Sequence, residues 1–175
     1  MRIEPSTLKQ GDAELLFWYA AGTVFAIWNV FQSNGLDVRL LALGGLLPLL
    51  IDVAFWQQRF GHTLLGPVGL LAIVMLSTPG RGRRLLRRRV IALPIGWLCG
   101  TALSGAFANQ KVFWWPAFGT DFGDAKLFPS FGVVLALEAM GVIAAVWCWR
   151  RFAMGDARRR ALLLRTGRVY VGDAQ

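Results

Sequence analysis

The sequence predicts an all-α fold: a polytopic integral membrane protein of about five transmembrane helices with an aromatic external loop. Three observations carry that expectation. Hydrophobic residues make up 55% of the chain and charged residues 17%, with a mean hydropathy of +0.49, which is too apolar for an ordinary soluble domain. Five apolar stretches approach the roughly 20 residues that a hydrocarbon core of about 30 Å demands. The net charge of +9 is gathered largely into two arginine blocks beside those stretches.

Residues 1–14, MRIEPSTLKQGDAE, form a polar N-terminal tail that leads into the first apolar stretch, Leu15–Phe31, with no small-residue cleavage site between them. The first stretch is therefore expected to stay as an anchor. The second, Val38–Trp56, is interrupted by Pro48 and Asp52 and is expected to be a broken span. Thr63–Ser77, Val90–Phe107 and Phe131–Trp149 complete the set, so that residues 15–152 form the transmembrane domain and residues 153–175 a basic cytoplasmic tail.

Six arginines lie in PGRGRRLLRRR, residues 79–89, and seven follow Trp149 in RRFAMGDARRRALLLRTGRVY. Short loops rich in Lys and Arg stay cytoplasmic, and two crossings separate the blocks, so both fall on the cytoplasmic side of a bacterial inner membrane. This distribution argues for anionic lipid headgroups as partners and against nucleic acid. Counting back, His62 lies on the outside, as does the N-terminus if all five stretches cross. Within the tail, Asp156 is placed to cap a short helix through Arg158–Arg160 and Leu162–Leu164.

Sixteen of the 19 basic residues are arginine, which fits a GC-rich, actinobacterial source. Cys99 and Cys148 lie in apolar stretches without metal-ligand spacing and read as small hydrophobes.

The longest stretch expected to lack helix is ANQKVFWWPAFGTDFGDAKLFPS, residues 108–130, with Phe113, Trp114, Trp115 and Phe118 around a proline. Two readings stand: part of an interfacial aromatic belt, or a lid over an outward-facing pocket. Gly96, Gly100, Ser104 and Ala108 recur every four positions and so share one helix face, a surface on which another helix can pack closely. Gly44 and Gly45, shortly before Pro48, fit either a second close-packing face or a kink.

Charged groups in hydrocarbon need a reason. Asp52 and Glu138 fall within apolar stretches, and Arg59 and His62 occupy the turn next to Asp52. One reading is a metal site with Asp52 and His62 as ligands, Glu138 as third ligand or base, and Arg59 holding an anionic substrate. Carboxylate and imidazole suit zinc or manganese. The other is an interhelical polar network that fixes the helix arrangement. No HExxH, GxSxG or Gly-rich phosphate loop occurs, and no inverted repeat suggests a transporter.

The order ALGGLLPLLID, RFGHTL, the arginine-rich loop, LPIGW, VFWWPAFG and LEAMG resembles the small membrane-bound, metal-dependent hydrolases, also called LexA-binding inner-membrane-associated hydrolases, in an actinobacterial branch. The resemblance covers roughly residues 17–168. It implies that Asp52 matches an acidic ligand position, His62 the first histidine and Glu138 a matching acidic segment. Leu49 stands where a first acid is expected, and Gly100 and Ser104 stand where the family has a His-xxx-Asp pair. The resemblance therefore implies a degenerate or accessory member, partnered by lipid and by another membrane protein. The alternative is an active hydrolase acting on a lipid-linked or envelope substrate.

Overall fold

The computed structural model describes residues 15–32, 35–55, 60–79, 81–117 and 131–169. Every regular element among them is helical. In chain order they are α1 (Leu16–Phe31), α2 (Val38–Phe55), a 3-10 turn (Phe60–His62), α3 (Leu65–Ser77), a 3-10 turn (Arg81–Arg83), α4 (Arg84–Val90), α5 (Ala92–Leu103), a 3-10 turn (Ala106–Ala108), α6 (Gln110–Phe113), α7 (Phe131–Arg151) and α8 (Ala157–Thr166). Arg59, Trp56, Phe118 and the tail at residues 1–14 lie outside the described residues.

Several boundaries differ from the sequence reading. α2 is one helix across Pro48 rather than a broken span. A proline forfeits one backbone hydrogen bond and crowds the preceding turn, but α2 is held by α5 on one side and α1 on the other. The stretch expected as Val90–Phe107 divides at Ile91 into α4 and α5 and ends at Leu103. The following Gly105 takes a left-handed conformation, φ 73°, which stops the helix. Residues 110–113, expected to lack helix, form α6, with Val112 fully buried.

Among the described residues one helix, α7, has the length and composition to cross a membrane, with 21 residues and a hydropathy of 2.1. α1 and α3 are apolar but shorter, so element length does not by itself support five full spans.

α1 and α7 run parallel. At one end of the bundle Leu15, Tyr19 and Val134 pack together beside Trp18, Leu103 and Leu137. At the other, Val24, Trp28, Leu41, Ala92, Cys148, Phe152, Met154 and Val169 form the main core, with Trp28 edge-on to Phe152 at 5.0 Å. α2 and α5 run parallel to each other and opposite to α1, and make the most extensive helix contact in the fold.

Glycine makes that contact possible. A methyl group on Gly44 would stand 2.9 Å from the Cα of Gly96 and overlap the Leu93 carbonyl. One on Gly100 would overlap the Gly45 carbonyl and stand 3.1 Å from the Gly45 Cα. The backbones thus touch directly. The predicted small-residue face is shorter than its spacing suggested. Ser104 lies beyond the last residue of α5, donating to the Thr101 carbonyl at 2.7 Å and accepting from the Ala106 amide at 3.2 Å. Ala108 is exposed in the next turn. Both leave the face because the helix has ended.

Both arginine blocks lie at the same end. Arg89 donates to the Thr166 carbonyl at 2.9 Å, Arg39 donates to the Leu164 carbonyl, and the guanidinium of Arg88 rests against Gly35. Asp156 caps α8, accepting from the Arg158 amide at 2.9 Å, and Gly167 closes it at φ 70°. The Val38 amide then donates to the Gly167 carbonyl at 2.8 Å, and Val169 enters the core.

Candidate functional site

The polar centre of the opposite end is built from the last turns of α2 and the 3-10 turn that follows. Asp52 is 5% exposed and His62 1%. Asp52 Oδ1 accepts from the Gly61 amide at 2.7 Å, and Oδ2 pairs with His62 Nδ1 at 3.0 Å. A carboxylate can only accept, so in this pair Nδ1 carries the proton. Gly61 is in turn fixed from its other side, because Trp97 Nε1 on α5 donates to the Gly61 carbonyl at 2.7 Å.

Gly61 and Gly66 let the turn close. A side chain at Gly61 would strike the Pro48 carbonyl, and one at Gly66 would strike the Trp97 ring. Beyond His62, the Leu64 amide donates to the Phe113 carbonyl at 2.9 Å, which ties the turn to α6. Phe113 meets Trp114 edge-on at 5.5 Å. The aromatic segment therefore braces the turn that carries His62.

Glu138 is elsewhere. Its two oxygens accept from the amides of Phe17 and Trp18, each at 3.1 Å. Those amides belong to the first turn of α1, where a helix has no internal acceptors for its N–H groups. Leu15, the residue before α1, supplies no side-chain cap. Glu138 thus caps α1 from a neighbouring helix, and its charge complements the positive end of the α1 dipole. Gly141, one turn further along α7, admits the Trp18 backbone.

The expected constellation of Asp52, His62 and Glu138 is consequently not assembled, and Arg59 falls outside the described residues. Among the described residues no three His, Cys, Asp or Glu side chains are grouped to hold a metal ion. A zinc centre ordinarily takes three protein ligands plus water. Asp52 and His62 supply two donors that bond to each other instead of converging on a third point. The donor set does not fit zinc or manganese. The pair does have the form of the orienting half of an acid–base dyad, a carboxylate on Nδ1, with the imidazole buried.

The sequence reading passed over three residues that matter to this geometry. Asp37, 2% exposed, accepts from the amides of Arg39 at 3.1 Å and Leu40 at 3.4 Å and pairs with the Arg39 guanidinium at 3.2 Å. Its position just before an apolar run was a legible capping signal. Gly61 and Trp97 carried no local signal, since their hydrogen bonds span the turn and α5. No family model, curated protein or solved structure matches the chain.

Proposed function

We propose that the chain is a multi-pass protein of the bacterial cytoplasmic membrane with a structural or partner-binding role, a degenerate relative of the membrane-bound metal-dependent hydrolases. One observation carries this reading: every carboxylate oxygen of Asp52 and Glu138 is engaged by a protein donor. Those groups hold a turn and a helix end, and neither is presented to a substrate. Asp52 with His62 locks the outer turn, and Glu138 locks α1 to α7.

The membrane placement is supported by the outside of the bundle. Val30 is 73% exposed, Leu76 80%, Leu135 62% and Ile143 68%, and many other large apolar side chains on α1, α2, α3 and α7 are exposed with them. Contiguous apolar surface beyond a few hundred Å² belongs to an interface or a membrane, and lipid covers it without further protein. With α1, α2, α3, α5 and α7 as the crossing elements, the arginine end faces the cytoplasm.

Two measurements test the proposal together. The protein should resist carbonate extraction from membranes and, after purification in detergent, carry no stoichiometric zinc or manganese. His62→Asn, which keeps a donor toward Asp52 Oδ2, should fold and localise normally. His62→Ala, which strands a buried carboxylate oxygen, should lose about 3 kcal/mol or more of stability. Stoichiometric metal in the wild type, lost from both variants, would restore the hydrolase reading.

A further inference from the structure

α4 carries an open cleft of about 490 Å³ lined by Arg84, Leu85, Arg87, Arg88 and Ile91, a volume within the ordinary range for ligand sites. Arg84, Arg87, Arg88 and Ile91 follow the i, i+3, i+4, i+7 spacing of one helix face. Leu85, 70% exposed, flanks them.

Among the described residues no acidic side chain pairs with this face. Among the described residues the ion pairs are Arg39 with Asp37 and His62 with Asp52. Asp156, the other described carboxylate at this end, caps α8. The neighbouring Arg89 is already engaged with the Thr166 carbonyl. Three arginines thus line the cleft together with Leu85 and Ile91, and among the described residues no carboxylate pairs with them. Guanidinium groups match phosphate oxygens in charge and fork geometry. A free inorganic phosphate would answer the arginines but leave Leu85 and Ile91 wet, whereas an amphiphile satisfies both.

We propose that this cleft holds the phosphate of an anionic phospholipid between Arg84, Arg87 and Arg88, with its acyl chains lying along Leu85 and Ile91. The proposal rests on the membrane reading above and deepens it by assigning the lipid contact to one site rather than to the arginine blocks at large.

The test uses the full chain in nanodiscs or detergent, with retention of phosphatidylglycerol against phosphatidylcholine read by native mass spectrometry. The wild type should retain phosphatidylglycerol selectively. Arg84→Gln with Arg87→Gln, both lining the cleft, should weaken retention roughly thirtyfold, as two lost arginine contacts at a headgroup imply. Arg158→Gln with Arg159→Gln on α8 removes equal charge away from the cleft and should leave retention within a factor of two or so of wild type. Leu85→Ser should weaken retention without altering charge. Equal losses in the two double variants would show a diffuse electrostatic effect and overturn the site. Displacement of the lipid by millimolar inorganic phosphate, or tighter binding of an acidic peptide or RNA than of lipid, would overturn it as well. If the protein proves extractable by carbonate, it is the membrane reading that fails; membrane-integral protein with unselective retention sinks the cleft alone.

Discussion

Replacing Gly100 by alanine adds a single methyl group to α5, and the geometry says what that methyl meets. It would overlap the Gly45 carbonyl and lie 3.1 Å from both the Gly45 carbonyl carbon and its Cα. All three are backbone atoms, so no side chain can swing aside. Carbon atoms sit at about 3.5–4.0 Å in ordinary contact, and α2 and α5 must part by on the order of 1 Å to reach it. A gap of that size forfeits a quarter to a half of each dispersion well it crosses, and it opens along the most extensive helix contact of the fold. Destabilisation should be about 3 kcal/mol, the upper part of the overpacking range. Gly69→Ala on α3 is the matched control, because a methyl there meets nothing within 4 Å; relief of glycine's helix penalty should make it neutral to about 1 kcal/mol stabilising. Unfolding in detergent, followed by circular dichroism against denaturant, gives both values. Equal midpoints for the two variants would refute the backbone-contact argument, since both make the same chemical change and differ only in what lies opposite.

Glu138→Gln keeps the shape of the cap but offers an amide nitrogen to one of the two helix N–H groups, and should cost about 1–2 kcal/mol with early fraying at α1 seen by hydrogen exchange at Phe17 and Trp18; unchanged exchange there would remove the capping role. Reporter fusions after Arg89 and after Gln175 should both give cytoplasmic signals, because both arginine blocks meet at one end of the bundle, and an external signal at either would overturn the orientation. Gly167→Ala combines a left-handed backbone with overlap on the Asp37 carboxylate, so α8 should detach and trypsin should cut at Arg165 and Arg168 well before the bundle is digested; a wild-type cleavage pattern would mean that the tail is not held through Gly167.

The local chemistry of the chain was readable from its sequence. Apolar runs of helical length, the Asp156 cap and the small residues at Gly96 and Gly100 depend on neighbours within a turn or two, and a linear pattern records them. The gathering of positive charge into two blocks was equally plain. What those groups touch was decided by tertiary structure. Glu138 finds its partners 120 and 121 positions away in sequence, and no spacing rule connects the last long helix to the first turn of α1. Pro48 reads as a break because local rules count only the lost hydrogen bond, while packing against α5 keeps α2 whole. The four-residue ladder stops at Gly100 because Gly105 adopts a left-handed turn and ends α5, so Ser104 and Ala108 keep their spacing without keeping the face. Asp52 and His62 were recognisable as polar groups in need of a reason. That they meet in a closed hydrogen-bonded turn with Gly61 and Trp97 followed only from the fold, because a buried carboxylate takes whichever donors the packed helices bring to it.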